Sequence, residues 1–227
     1  SDADIIAGQI APYREQLADA DAIVFVGGTD HNLDCEGRDR TSMQFPQGQT
    51  ELIRQVSAIN GKTIVVLMHG APIDLPWIDR VPAVLDMFFP GMEGGTAMAD
   101  ILFGDADPSG RLTFSWPERL EDSPVYELAT QDVDNVNYED SLMVGYRYFD
   151  TKRVMPRYEF GYGLSYTTFD YSKMKVKKDG DNCVVTLHVK NTGSRDGAEV
   201  VQIYVGQKNC RYTRPVHELK AFDKVFL

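Results

Sequence analysis

The chain has 227 residues, 43% hydrophobic and 25% charged, which is ordinary globular usage for one large domain or two smaller ones. Its 34 acidic side chains outnumber 23 Lys and Arg, leaving a net charge of −11 and no basic cluster to displace counterions, which excludes a nucleic-acid partner. No run approaches the ~20 apolar residues of a membrane span, and residues 1–9 lack the basic and apolar regions of a signal peptide.

In chain order, residues 5–17 read as a helix, with Ile6, Ile10, Tyr13 and Leu17 at helical spacing and Pro12 marking a kink or a start. Residues 22–26 form a continuous apolar run closing on Gly27-Gly28, the pattern of a strand buried on both faces. The polar stretch from Thr29 to Gln49 is long for a connection, and long loops carry function. Residues 49–60 are helical, stopped by Asn60-Gly61. Strands follow at 63–68 and 83–89, then a helix at 93–103 with small residues at Gly94, Gly95, Ala97 and Ala99. Alternating strands and helices imply an open, mostly parallel α/β sheet flanked by helices, with ligands outside the carboxyl ends of the strands. After Phe169 the period becomes two, at Val185, Leu187 and Val189, with further strands at 200–205 and 219–227. A sandwich of this kind needs about 100 residues, so these strands are expected to be part of a truncated all-β domain. The expected division is 1–168 and 169–227.

Cysteines 35, 183 and 210 form no CxxC pair and no zinc spacing with the four histidines. They are expected as free, mostly buried thiols, with a Cys183–Cys210 pair left open. No GxGxxG follows the first strand and no GxSxG is present. Gly61-Lys62-Thr63 lacks the earlier glycine of a phosphate-binding loop, because Val56 stands there, and it precedes a strand rather than a helix. The loop after the first strand stands out. Between Asp30 and Arg40 it holds Asp30, Asp34, Glu36 and Asp39 together with Arg38 and Arg40. Glycoside hydrolysis needs one carboxyl to protonate the departing oxygen and another to attack the sugar or activate water, and Arg beside a carboxylate orients it. Charged loops are also commonly plain solvated surface.

Several stretches read together resemble glycoside hydrolase family 3, the β-glucosidase/β-xylosidase type. They are Glu36-Gly37-Arg38-Asp39-Arg40 with Phe45-Pro46 and Gln49, then Pro90-Gly91-Met92-Glu93-Gly94-Gly95, then Pro108-Ser109-Gly110-Arg111-Leu112. Gly145-Tyr146-Arg147-Tyr148-Phe149 and Phe160-Gly161-Tyr162-Gly163-Leu164-Ser165-Tyr166 continue the match, and Lys190-Asn191-Thr192-Gly193 resembles the fibronectin-III-like domain that often follows. The resemblance covers residues 18–227. It implies a retaining exo-acting β-glycosidase that hydrolyses terminal β-linked sugars. In this architecture an N-terminal (β/α)8-like barrel carries the Asp nucleophile, and the α/β domain supplies the acid/base. The barrel is a partner expected to be absent from this chain, so the chain alone is expected to be inactive. The run from Trp116-Pro117 through Leu120 and Asp122-Ser123-Pro124 to the Gly145-Tyr146-Arg147-Tyr148 stretch looks closer to β-glucosidases than to β-xylosidases.

Glu36 matches the acid/base position, with Asp34, Arg38, Asp39 and Arg40 as supporting or alternative residues. Many relatives carry Glu where Asp34 stands, so the choice of proton donor between Asp34 and Glu36 stays open, as does a Glu36 merely paired with Arg38 or Arg40. His69, at a strand end, reads as a satisfied polar residue. The resemblance implies no metal or organic cofactor, a β-linked glycoside substrate, and a secreted or periplasmic location. A β-xylosidase, a non-catalytic carbohydrate-binding or packing domain, and a nucleotide-binding α/β domain are the rival readings.

Overall fold

The computed structural model describes residues 1–126, 138 and 140–227. They fall into two compact units, Ser1–Met98 and Ala99–Leu227.

In the first unit, α1 (Asp2–Ile10), a 3-10 turn (Ala11–Tyr13) and α2 (Arg14–Asp19) follow one another. Pro12 is the kink, because its ring fixes φ and removes the N–H that a continuous helix needs. Three parallel strands form the sheet in the order β1 (Ile23–Gly28), β2 (Thr63–Met68) and β3 (Ala83–Asp86). The register runs from Ile23↔Thr63 to Gly28↔Met68, and from Ile64↔Ala83 to Leu67↔Asp86. Helix α3 (Gln49–Ile59) buries Ile53 and Val56, and Val56 packs with Ile6 and Ile10 of α1. Central β2 is the buried strand: Val65, Val66 and Leu67 are at most 1% exposed. Strand β1 departs from the sequence expectation of burial on both faces. Its Val24 and Val26 are exposed, while Ile23 and Phe25 are half-buried.

Asn60 explains why α3 stops where it does. Its backbone turns extended at φ −134. The buried side chain donates to the carbonyls of Leu17 and Ala20 at 3.0 and 2.9 Å and accepts the Lys62 N–H at 2.9 Å. The amide therefore ties the end of α2 to the start of β2 with its polar atoms satisfied, as a buried amide requires.

The strand expected over 83–89 ends early, at Asp86. Its carboxylate accepts the N–H of Phe88, whose φ of 50 turns the chain out of the sheet. Helix α4 (Gly94–Phe103) follows.

In the second unit, the Pro108–Leu112 stretch is a structural joint. Arg111 donates to the Glu199 carboxylate at 2.6 Å, and the Tyr171 hydroxyl donates to the same carboxylate at 2.8 Å. Asp107 accepts the Ser165 hydroxyl and the Tyr166 N–H. A short helix, α5 (Tyr146–Lys152), precedes two antiparallel pairs: β4 (Phe169–Asp179) with β5 (Asn182–Asn191), and β6 (Ala198–Val205) with β7 (Glu218–Phe226). The three thiols are free, and Cys35 and Cys183 are exposed rather than buried. Both sit at the surface for local reasons: Cys35 lies in a tight turn, and Cys183 lies on a strand whose first three residues are all exposed.

Candidate active site

The first unit builds its site at the carboxyl ends of β1, β2 and β3. The start of the long loop is fixed by Gln49, the first residue of α3. Its side-chain amide accepts the Gly28 N–H and donates to the Gly28 carbonyl, both at 2.9 Å, pairing with the backbone as a neighbouring strand does. Position 28 must be glycine, because a Cβ there would lie 1.7 Å from the Met68 carbonyl oxygen. The far end of the loop is held by Met43 and Phe45, which are 5% and 2% exposed and so belong to the core.

Between these anchors the acidic stretch divides its carboxylates. Asp30 makes the first turn: its side chain accepts the Asn32 N–H at 2.9 Å and its carbonyl accepts the Asp34 N–H at 2.9 Å. The turn sends Asp34 inward, where its side chain is 8% exposed. The carboxylate accepts the Thr29 hydroxyl and, at 2.9 Å, the Gly70 N–H, and lies 3.5 Å from the Arg40 guanidinium. Burial pushes the Asp34 pKa up, but the Thr29 hydroxyl, the Gly70 N–H, Arg40 and His69 together outweigh it and hold the group below its ordinary value. Asp34 is therefore a fixed anion.

Glu36 is placed differently. Cys35 and Arg38 close a tight turn, with Gly37 at φ 78, and Glu36 projects from it. Its side chain is exposed and makes no hydrogen bond or ion pair among the described residues. Neither arginine holds it. Arg38 is exposed, and Arg40 turns inward to Asp34 and to the carbonyls of Ala71 and Pro72 at 3.4 and 3.3 Å. Asp39 is also exposed, and with Asn32, Arg38 and Arg40 it lines an open groove of about 990 Å³.

Thus the structure brings Asp34 and Arg40 together and leaves Glu36, Arg38 and Asp39 on the open side of the loop. Two carboxyls two residues apart acquire opposite environments, Asp34 gripped by three donors and Glu36 exposed and unpaired among the described residues. His69 is fully buried behind this loop, with Nδ1 3.0 Å from the Ala71 oxygen and Nε2 3.1 Å from Asp86 Oδ1. Sequence reasoning missed Gln49 as a clamp, Gly70 as a donor, and Asp86. Asp86 gave no signal, because the sequence pattern runs the strand on to 89 and the strand ends at Asp86 only in the structure. Among the described residues no group of three or more His, Cys, Asp or Glu is placed to hold a metal ion, and no helix is long and apolar enough to cross a membrane.

Comparison with known proteins places this geometry in a family. The glycosyl hydrolase family 3 C-terminal domain matches residues 7–166, and a fibronectin type III-like domain matches residues 199–227. The chain is 41% identical over 223 residues to β-glucosidase BoGH3A of Bacteroides ovatus, covering 94% of this chain and 30% of that protein. It is 42% identical over 218 residues to thermostable β-glucosidase B of Acetivibrio thermocellus, covering 94% of this chain and 29% of that protein. The crystal structure of the Kluyveromyces marxianus β-glucosidase in complex with glucose superposes with a TM-score of 0.92 at 38% identity, over 97% of this chain and 26% of that one. The chain thus spans less than a third of the length of the relatives it matches. On the extent of these matches, the chain belongs to glycoside hydrolase family 3, as its C-terminal α/β domain followed by a fibronectin type III-like segment.

Proposed function

We propose that this chain supplies the general acid/base, Glu36, of a retaining exo-acting β-glycosidase, a β-glucosidase, whose Asp nucleophile lies in an N-terminal barrel domain of the longer protein. In this reading the α/β domain is 1–168 and the fibronectin-III-like part is 169–227. The observation that carries it is the division of carboxylates on one loop. Asp34 is held as an anion by three donors and has no proton to give at neutral pH, whereas Glu36, two residues on, stands exposed and unpaired among the described residues. Names of the relatives, all β-glucosidases, support the substrate class.

The barrel Asp attacks the anomeric carbon while the Glu36 carboxyl protonates the departing glycosidic oxygen. The Glu36 carboxylate then takes a proton from the water that hydrolyses the glycosyl-enzyme. Asp34 remains anionic throughout and Arg40 holds it in place. Without the barrel nucleophile, the chain alone does not turn over.

The test uses the intact enzyme that carries this chain, with Glu36→Ala and Asp34→Ala made separately. Aryl β-glucosides with good and poor leaving groups are assayed with and without azide. Glu36→Ala is expected to lose about 10²–10⁴-fold on poor leaving groups, to keep much of the first step on good ones, and to yield glycosyl azide. If neither variant shows leaving-group dependence or azide rescue, the loop does not supply the acid. An aryl xyloside preferred over the aryl glucoside replaces β-glucosidase by β-xylosidase.

A further inference from the structure

The acidic loop is gripped by three consecutive residues that follow β2. Gly70 donates to Asp34, and the carbonyls of Ala71 and Pro72 accept from Arg40. Behind that grip stands His69, which has no exposed surface. Its Nδ1 stands 3.0 Å from the Ala71 oxygen, and because a carbonyl only accepts, Nδ1 is the donor. The opposite ring nitrogen, Nε2, lies 3.1 Å from Oδ1 of Asp86, the last residue of β3. Asp86 in turn accepts the Phe88 N–H at 3.2 Å. Phe88 has φ 50, a left-handed conformation uncommon for an aromatic residue, and its ring centroid lies 5.7 Å from that of His69.

A buried imidazole beside a carboxylate is a costly way to fill space, since an apolar side chain of similar volume packs there without desolvation. Strain held at the end of a strand beneath a loop of functional side chains points the same way. The ring's Nδ1 faces the Ala71 carbonyl and its Nε2 edge faces the Asp86 carboxylate, so the imidazole stands between the end of β3 and the Gly70–Pro72 segment. The contacts form one continuous line, from Asp86 through His69 and Ala71 to Arg40 and Asp34, and so to the turn that carries Glu36.

We propose that the buried His69–Asp86 pair is a positioning element for the acid loop: it sets the Gly70–Pro72 segment at the height where Asp34 and Arg40 lock, and so fixes where Glu36 stands. This rests on the reading of Glu36 as the acid/base. His69 touches no substrate and acts only through the loop.

Two measurements test it. In the 227-residue chain itself, hydrogen exchange is followed at the Gly70 amide and across residues 30–40 in His69→Ala, His69→Asn and Asp86→Asn, with circular dichroism to show that each variant folds. In the intact enzyme, the same variants are assayed on glucosides with poor and good leaving groups. His69→Ala is expected to speed exchange at Gly70 and in the loop and to lose about 10- to 100-fold on the poor leaving group, the scale of an ångström's misplacement of a catalytic group. The change on the good leaving group should be much smaller. His69→Asn keeps an N–H where Nδ1 stood and is expected to recover most of the loss. Asp86→Asn, which keeps the side chain's size, carries the test if His69→Ala does not fold. Unchanged Gly70 exchange in a folded His69→Ala or Asp86→Asn overturns the proposal, as does an equal loss on both leaving groups. Glu36→Ala, run alongside, separates the two readings. Absence of leaving-group dependence there overturns the acid assignment, whereas unchanged exchange overturns the positioning role whatever Glu36 does.

Discussion

Removing the Asp34 carboxylate is the most informative single perturbation of the loop. The group accepts the Thr29 hydroxyl and the Gly70 N–H and sits 3.5 Å from Arg40, with the two ionic side chains only 8% and 15% exposed. Asp34→Ala therefore strands a half-buried guanidinium and a backbone donor at once. Breaking a buried pair from one side costs about 3–5 kcal/mol, and hydrogen bonds to charged groups are each worth about 1.5–3. Because water reaches the open side of the loop, the lower end applies, and about 3 kcal/mol of stability should be lost. Asp34→Asn, which keeps an acceptor for Gly70 but turns an amide toward Arg40, should lose about half of that on the same scale. Native Asp34 is held more acidic than the ordinary 3.8. Its contribution is therefore complete above that value and is lost as pH falls through the lower native one. Urea unfolding of wild type and Asp34→Asn at pH 7, 5 and 3 reads this directly, since the other titrating groups cancel between the two proteins. A gap below about 0.5 kcal/mol at pH 7, the range of an ordinary surface substitution, refutes the locked-anion description. So does a gap that widens on acidification.

Three further expectations follow from other parts of the chain. Glu51 accepts two hydrogen bonds from Arg54 at 2.7 Å and one from Gln55 at 2.6 Å, which lower its pKa to about 2. Its carboxyl carbon should show that midpoint in an NMR titration, with its stabilising effect intact above 4.5 and lost as pH falls through the native value. Arg111→Ala leaves the Glu199 carboxylate, 17% exposed, with the Tyr171 hydroxyl as its one remaining side-chain partner among the described residues. Chemical denaturation should report a loss of about 3 kcal/mol, whereas a loss within experimental error would show the joint to be ornamental. Cys35 and Cys183 are exposed and Cys210 is half-buried. A thiol reagent should thus titrate two fast groups and one slower group under native conditions, with no change on prior reduction.

The α/β layer was legible in the sequence because its signals are strong and local. β2 is a six-residue β-branched and aliphatic run, and the helix expected over 49–60 matches Gln49–Ile59 because Asn60 ends it in an extended conformation. Elements shaped by tertiary contacts were not legible. Helix α5 has only seven residues, three of them aromatic, which are mediocre helix formers. It owes its place to ring contacts, Tyr146 stacking on Phe160 at 5.1 Å and meeting Tyr204 edge-on at 5.6 Å. Strand β4 hides its alternation behind a bulge between Ser172 and Lys175, where Lys173 has φ 54, so that the two halves of the strand are out of phase. The burial expected for Cys35 and Cys183 failed because a general tendency of the residue type was applied to a turn and to an exposed strand.

The acidic loop shows most clearly what sequence spacing leaves open. Asp34 and Glu36 lie two residues apart, and nothing in their neighbours says which one turns inward. The deciding partner, the Gly70 N–H, is 36 residues away and meets the loop only because β1 and β2 are parallel and in register to their last residues, Gly28 opposite Met68. That same approach brings the Gly70 N–H within 2.9 Å of the Asp34 carboxylate. A Cβ built on Gly70 would lie 3.3 Å from the Asp34 Cβ and 2.9 Å from the Phe89 ring. The space between loop and strand end is thus closed to a side chain at position 70. A short acid with a glycine opposite makes a tight lock at position 34, while the turn closed by Cys35 and Arg38 stays at the surface with Glu36 exposed.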